Sequence, residues 1–171
     1  MNKEIINAFG NKLRVRTCGV LIENNQILLM QHHALGKRDF LLCPPGGGVE
    51  FGEQLTEGVI REFEEETNLN ISVSKLLFIN EYIEHPLHAI EFFFEVKKID
   101  GELTLGTDPE LAEKQIITSL DWYSIEELKK IKDQNKHSCL HNLDSFDDLF
   151  KKNKPLYLSL IHISEPTRLG M

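Results

Sequence analysis

Hydrophobic side chains between Gln54 and Asn68 recur with the period of a helix. Leu55, Val59 and Phe63 lie four residues apart, and this stretch contains no proline. The pattern predicts an amphipathic helix that buries one face. Gly58 in its interior costs about 1 kcal/mol relative to alanine, which indicates either a close approach to another backbone or a tolerated weakness.

Other hydrophobic stretches have the composition of strands. Leu13–Ile22 and Gln26–His32 flank a short turn with two asparagines, so they are predicted to form a hairpin. Ser72–Glu84 and His88–Ile99 are rich in Ile, Val, Phe and Tyr and flank the turn His85–Leu87. A second hairpin is predicted there.

The remaining segments complete a mixed α/β chain. Ala34–Phe40 is polar and charged and is predicted to be a loop, and the prolines and glycines after it favour a turn. Gln115–Tyr123 is predicted to be a strand. Ser124–Ile131 is predicted to be a helix, because Ser124 and Glu127 can form a capping box. Ser145 with Asp148 predicts a shorter helix that ends near Lys152.

Length and composition indicate one folded domain. The chain has 171 residues, of which 41% are hydrophobic, and we expect the domain to span residues 1–153. Residues 154–171 form a tail, whose last dozen residues, from about 160, resemble translated sequencing-adapter sequence. The net charge of −8 argues against a general electrostatic grip on nucleic acid.

The cellular setting follows from two features. No apolar run reaches the roughly 20 residues that span a bilayer, and the N-terminus lacks the apolar core of a signal peptide. A cytoplasmic protein that does not enter the membrane is therefore expected. The three cysteines include no close pair, which favours reduced thiols. His137, Cys139 and His141 do not have the spacing of a standard zinc site.

A cluster of acidic residues dominates the predicted helix. Glu62, Glu65 and Glu66 are three and four residues apart, so a helix would present them on one face and towards one point. Repulsion between two such charges costs about 3 kcal/mol at a separation of about 6 Å and an effective dielectric of 20, and it costs less where water screens it. Mg²⁺ or Mn²⁺ would offset that repulsion, since both prefer carboxylate oxygens. Arg61 could pair with one glutamate and fix its rotamer.

The segment that contains these carboxylates resembles the Nudix box. Eight of the nine positions of that motif are matched, by Gly47, Glu53, Arg61, Glu62, Phe63, Glu65, Glu66 and Leu69. The one departure is Asn68, which stands where the family has glycine. That position needs a left-handed backbone, which asparagine tolerates better than other non-glycine residues.

The resemblance implies both a fold and a reaction. The fold is an α/β (α+β) protein, a Nudix-type α/β/α sandwich with a mixed central sheet. The implied reaction is hydrolysis of a nucleoside diphosphate linked to another moiety, with Mg²⁺ or Mn²⁺ as cofactor and a small nucleotide as substrate. Glu62, Glu65 and Glu66 would be metal ligands with the Gly46 carbonyl, and Glu110 or Glu113 could add another.

The resemblance also assigns Glu53, Arg61, Glu62, Glu65 and Glu66 as the catalytic set. Glu53 would either support the site or accept a proton, because the family varies in which glutamate is the base.

Substrate contacts are less well defined. Many relatives carry two arginines where this chain has His32 and His33, and Arg38 in the next loop could compensate. His33, Arg38 and Phe40 are the candidate substrate-binding residues, although Phe40 could equally pack in the core. These residues do not select one nucleoside diphosphate derivative, and the sequence is compatible with a monomer or a homodimer.

Two alternatives remain beside the enzyme. One is a nucleotide-sensing domain on the same scaffold without catalytic activity, but such domains commonly lose the catalytic glutamates, and this acidic set is complete. The other is an acidic α/β domain whose glutamates only keep it soluble. Measurable Mn²⁺ binding would count against that second alternative.

Overall fold

A computed structural model describes residues 6–7, 9–33, 40–106 and 117–151. Several predictions fall outside this range: most of the loop at 34–40 with Arg38, the acidic candidates Glu110 and Glu113, and the tail at 154–171.

Among the described residues, five strands precede the acidic helix, three strands follow it, and short helices come after the last strand. In chain order they are β1 (Leu13–Val20), β2 (Ile22–Glu23), β3 (Gln26–His33), β4 (Phe40–Cys43), β5 (Gly46–Gly48), α1 (Leu55–Thr67), β6 (Leu69–Glu84), β7 (Leu87–Gly101), β8 (Ile117–Tyr123), α2 (Ile125–Lys130), two 3₁₀ turns (Asp133–Asn135 and Ser138–Leu140) and α3 (Asp147–Phe150).

The strands form two sheets. The first is mixed and has the order β5-β1-β7-β6, in which β1 runs parallel to β7 and antiparallel to β5. The second has the order β2-β3-β4, with β8 paired to the free side of β3. The mixed sheet carries the strands that border the acidic helix.

The first predicted hairpin is only partly right. Ile22 and Glu23 pair with the start of β3 around Asn24 and Asn25, which both have positive φ. The rest of the predicted strand, β1, does not pair with β3. Both of its edges are already occupied, by β5 and β7, so the chain changes sheets at Leu21.

The second hairpin and the helices are confirmed with small changes in length. β6 and β7 join through the two residues His85 and Pro86. Helix α1 ends at Asn68, whose φ of 58° is the left-handed conformation expected from the sequence. Ser124 caps α2 through the predicted box, whereas α3 is shorter than predicted.

Two hydrophobic layers pack on opposite faces of the sheets. Neighbouring residues in one strand belong to different layers, as Phe93 and Phe94 do, because successive side chains of a strand point to opposite sides. One layer contains Phe63 of α1, and the other contains Leu128 of α2. This arrangement is the predicted α/β/α sandwich. Within the described ranges, no helix is long and apolar enough to cross a membrane.

Candidate active site

Three glycines bring the acidic helix against the mixed sheet. The sequence predicted a turn at Gly46–Gly48, but these residues form strand β5, which pairs with β1. Gly46 has a φ of +149°, which L side chains rarely adopt, and a Cβ there would overlap the Thr17 carbonyl. A Cβ on Gly47 would overlap the carboxylate of Glu62. Glycine at these positions therefore lets Glu62 lie directly on the strand.

Gly58 has a related explanation. A Cβ there would lie 3.0 Å from Oε2 of Glu53 and 3.2 Å from a methyl group of Thr17. The close approach that the sequence suggested is therefore to two side chains and not to a backbone.

Arg61 connects three carboxylates. Its Nε and Nη2 donate to the two oxygens of Glu53 at 2.8 and 3.0 Å, and its Nη1 donates to Glu62 and Glu65 at 3.0 and 3.1 Å. Nη2 also donates to the Gly48 carbonyl at 3.0 Å. The sequence suggested pairing with one glutamate, whereas the guanidinium pairs with three because its five N–H groups point in several directions.

The bidentate pair with Glu53 has an electrostatic consequence. The hydrogen bonds from Arg61 lower the pKa of Glu53, and the Glu50 amide, which donates to the same carboxylate at 2.9 Å, adds to this effect. The carboxylates in turn raise the pKa of Arg61. Both side chains are therefore charged at neutral pH. Their charge-assisted hydrogen bonds hold the Arg61 guanidinium in place, and the same guanidinium joins the helix to the glycine strand at Gly48.

The three helix carboxylates do not converge on one point. Glu62 and Glu65 share a nitrogen of Arg61, while Glu66 accepts from the Gly46 amide at 2.8 Å. Across the described ranges, no group of three Asp, Glu, His or Cys side chains has the geometry to hold a metal ion. The sequence expectation of a single shared point is thus not met, because Arg61 draws two of the carboxylates towards itself.

The donor set nevertheless fits a hard divalent cation. Glu62 and Glu66 are 5% and 3% exposed, so their charges lie where water screens them poorly. Together with Glu65 and the Gly46 carbonyl they offer only oxygen atoms, which Mg²⁺ and Mn²⁺ prefer. The two buried carboxylates, Glu65 and the adjacent glycine carbonyl are therefore the groups that would hold the ion.

A groove beside the mixed sheet includes these carboxylates in its lining. Glu62, Glu66, Gly46 and Gly47 line it together with apolar side chains such as Leu41 and Phe93. Arg16, His32, Glu91 and His137 also line it. The groove thus combines carboxylates with polar groups set among apolar walls, which is typical of a small-molecule site.

A buried polar network in this groove was not foreseen from the sequence. Oε2 of Glu91 accepts from Asn80 at 2.8 Å and lies 2.9 Å from Nε2 of His137. Arg16 approaches the other oxygen of Glu91 and donates from Nη2 to the Gly46 carbonyl at 3.0 Å. Burial would raise the pKa of Glu91, but its interactions with His137, Arg16 and Asn80 lower it to about 2.

One sequence signal could have indicated Glu91. It lies between Ala89 and Phe93 at alternate positions of a strand, so all three side chains share the inward face. A charged residue at an inward position requires a partner. The partners themselves come from distant parts of the chain and leave no local pattern.

The candidate substrate residues on β3 and β4 are placed differently from expectation. His33 is exposed, and its Nε2 lies 3.0 Å from Nε2 of Gln31, so it does not line the groove formed by the described residues. Its neighbour His32 does, because alternate strand residues face opposite ways. Phe40 packs against the hydrophobic layer that contains Phe93, which favours the packing role.

His32 is an unusual buried side chain. It is 7% exposed, and neither ring nitrogen has a hydrogen-bond partner among the described residues. Burial, with a smaller contribution from the charge of Arg16, lowers the pKa of His32 to about 3. The imidazole is therefore neutral near pH 7 and supplies no positive charge to the groove.

The histidines and cysteine near the C-terminal end form no zinc site. His137 contacts Glu91 and accepts from the Cys139 amide, while Nε2 of His141 lies 2.9 Å from the Asp133 carbonyl.

Fold and site together define a mixed-sheet sandwich in which a carboxylate-rich helix borders a groove. The family model for the NUDIX domain matches residues 12–143. An ADP-ribose pyrophosphatase of Methanocaldococcus jannaschii is 36% identical over 119 residues, which cover 67% of this chain and 69% of that protein. The chain belongs to the NUDIX domain family and is a Nudix-type hydrolase.

Other relatives extend this picture. An m7GpppN-mRNA hydrolase of Danio rerio is 40% identical over 78 residues, which cover 42% of this chain and only 26% of that protein. A NUDIX hydrolase structure from Nitrosomonas europaea has a TM-score of 0.62 at 22% identity and covers 74% of this chain and 82% of that chain. At that identity the structural likeness supports the fold alone.

Proposed function

We propose that this chain is a divalent-metal-dependent pyrophosphohydrolase that cleaves the diphosphate linkage of a nucleoside diphosphate joined to another moiety. One observation carries the proposal: two buried carboxylates, Glu62 and Glu66, lie against a glycine strand and line a groove. Buried anions without a nearby excess of positive charge favour a bound cation, and a cation in turn favours phosphate.

Glu62, Glu65, Glu66 and the Gly46 carbonyl are the residues that would hold Mg²⁺ or Mn²⁺. The ion, when bound, neutralises phosphate charge and lowers the pKa of a coordinated water. The chain itself supplies geometry, because β5 fixes Gly46 and Arg61 fixes the carboxylates around it.

Glu53 is better suited to positioning than to accepting a proton. Both of its oxygens accept hydrogen bonds from Arg61, and the Glu50 amide adds a third. A carboxylate so engaged has a lowered pKa and little room for an incoming proton. In this role Glu53 holds Arg61, and Arg61 orients Glu62 and Glu65.

ADP-ribose is the first substrate to test, because the relative from Methanocaldococcus jannaschii carries that name and aligns over two thirds of the chain. The relative from Danio rerio is named for a different substrate, so the test should include a panel. Nucleoside triphosphates, nucleotide sugars and dinucleoside polyphosphates complete it.

The decisive experiment compares Glu65→Gln and Glu66→Gln with Glu64→Gln. Glu64 lies on the same helix but is exposed, so its substitution controls for the loss of one charge. We expect the first two variants to lower kcat/KM with Mg²⁺ by at least about 100-fold, and Glu64→Gln to retain activity. Product identification by chromatography would show which bond is cleaved.

The outcomes separate the alternatives. Full turnover in Glu65→Gln and Glu66→Gln would refute the assigned roles. A wild-type protein that binds nucleotides with Mn²⁺ but hydrolyses none of the panel would be the nucleotide sensor. Absence of any Mn²⁺ binding would leave only an acidic domain without metal chemistry.

A further inference from the structure

Arg16 occupies a position in the groove that the proposed reaction leaves without a role. It lies on β1, directly across from Gly48 of β5, and its Nη2 donates to the carbonyl of Gly46 at 3.0 Å. The guanidinium is therefore one hydrogen bond away from a group that would hold the metal. Its side chain is 23% exposed, so it remains within reach of a ligand in the groove.

The hydrogen bonding of Arg16 is incomplete. Its Nε is buried and has no hydrogen-bond acceptor among the described residues. The carboxylate of Glu91 lies 3.6 Å away, which is beyond hydrogen-bond distance. A buried donor without an acceptor is unfavourable, and a small shift of the guanidinium that presents Nε to a ligand oxygen would remove that penalty.

The neighbours of Arg16 keep it available for such a ligand. Asn80 and His137 hold Glu91 through its Oε2, so Glu91 is fixed and cannot close the remaining gap easily. Glu91 still orients the guanidinium by its charge. Arg16 is thereby held beside the acidic helix without being fully neutralised by hydrogen bonds.

The groove carries charges of both signs, with carboxylates such as Glu62 and Glu91 beside the guanidinium groups of Arg14 and Arg16, and an anionic ligand can approach only where a cation lies. His32 faces the same groove but is neutral near pH 7, so it cannot take over the role of a cation. A guanidinium offers a planar fork that matches phosphate oxygens, and a lysine at this site would not.

We propose that Arg16, the guanidinium that donates to the Gly46 carbonyl, contacts a phosphate oxygen of the diphosphate and helps this groove select for it. The assignment rests on the proposed function, since it presumes that a diphosphate compound enters beside Glu62 and Glu66. It supplies a phosphate contact that His32 and His33 do not provide.

The test measures binding separately from turnover. The probe is α,β-methylene-ADP with Mn²⁺, titrated calorimetrically into wild type, Arg16→Gln and Arg16→Lys, and Mn²⁺ alone is titrated into each. Lys98→Gln is the matched control, because it removes one positive charge from an exposed position on β7. Thermal unfolding establishes that each variant is folded.

We expect Arg16→Gln to bind the analogue about 10- to 100-fold more weakly than wild type, the range for hydrogen bonds to charged groups. Arg16→Lys should fall between the two, because it keeps the charge and loses the fork. Affinity for Mn²⁺ alone should not fall in either variant, because neither substitution adds positive charge beside the carboxylates. Lys98→Gln should match wild type. If Arg16→Gln fails to fold, Arg16→Lys carries the comparison.

Three results would overturn the assignment. The first is unchanged analogue affinity in Arg16→Gln. The second is a parallel loss of Mn²⁺ affinity, which would make Arg16 only a support for the Gly46 carbonyl. The third is no analogue binding by wild type. A wild-type protein that binds the analogue through Arg16 yet hydrolyses nothing would instead contradict the proposed function and leave this contact intact.

Discussion

Glu91 shows how a single buried carboxylate can shape the stability of the whole protein. It is 6% exposed, it forms hydrogen bonds with Asn80 of β6 and with His137 of the segment after α2, and the guanidinium of Arg16 on β1 lies 3.6 Å away. Those donors favour its charged form strongly enough to overcome burial. Protonating Glu91 therefore removes interactions that hold separate parts of the chain together.

The first residue-scale prediction concerns acid. The pKa of Glu91 is about 2 in the folded protein against an ordinary 4.5. A lowered folded pKa means that the stabilisation is complete above about 4.5 and is lost as the pH falls towards 2. Over that window wild type should lose on the order of 3 kcal/mol of unfolding free energy through this group. Urea unfolding at several pH values measures it.

Glu91→Gln is the variant that isolates this effect. It should be less stable than wild type at pH 7 and should depend less on pH between about 4.5 and 2. Glu126→Gln, at an exposed position of α2, should keep the wild-type pH dependence. Parallel pH curves for wild type and Glu91→Gln would contradict the assignment.

At the same scale, the sequence predicted some site residues and not others for physical reasons. The acidic residues and Arg61 are close in sequence, so helical geometry alone places them together. Arg16, Glu91 and His137 meet only because three distant segments pack against each other. No local spacing connects them, and His32 could be told from His33 only after the inward face of β3 was known.

At the scale of elements, helix α1 depends on how it ends. Asn68 adopts a φ of 58°, and its amide donates to the Glu64 carbonyl. Its side chain adds only a long contact, 3.4 Å, to the Glu102 carbonyl. The backbone conformation is thus the main requirement at this position.

Two substitutions test that requirement. Asn68→Ala should lower the unfolding free energy by about 1 kcal/mol, because a Cβ without a compensating polar group is disfavoured in the left-handed region. Asn68→Gly should equal or slightly exceed wild type. Urea unfolding compares them, and an alanine variant as stable as wild type would show that the turn relaxes freely.

Element boundaries were predictable where local chemistry fixes them. The capping box at Ser124 and the left-handed end at Asn68 are local, and both are as expected. The partner of β1 was not predictable, because pairing with β7 joins residues far apart in sequence. Likewise, Gly46–Gly48 looked like a turn because glycine composition does not reveal that β1 offers a free edge.

At the scale of the whole molecule, the two hydrophobic layers are separate bodies joined by the sheets. Phe63 belongs to one layer and Phe93 to the other, while Phe78 stacks on Phe93 with ring centres 4.6 Å apart. The range matched by the family model, 12–143, takes in most of both layers. This supports our proposal that residues 1–153 form one domain.

Because the two layers are separate, we expect the losses of unfolding free energy caused by substitutions in different layers to add. Phe63→Leu and Phe93→Leu should each lower the unfolding free energy by about 1–2 kcal/mol. The loss in the double variant should equal the sum of the two single losses within about 0.5 kcal/mol. Phe78→Leu with Phe93→Leu should depart from additivity by about 0.5–1.5 kcal/mol, because these rings touch. Urea unfolding measures these losses. If the pair Phe63 and Phe93 departed from additivity as much as the pair Phe78 and Phe93, the two layers would not be energetically separate.

The contacts of Arg61 bear on the order of two events, folding of the chain and binding of a metal ion. It already gives a positive partner to Glu53, Glu62 and Glu65, so the helix carries its own counterion. A newly made chain can therefore complete its fold before it meets any metal. Under the proposed metal dependence, loading would place an ion on oxygens that Arg61 already orients, and a protein that lost its ion would keep its shape for the next one.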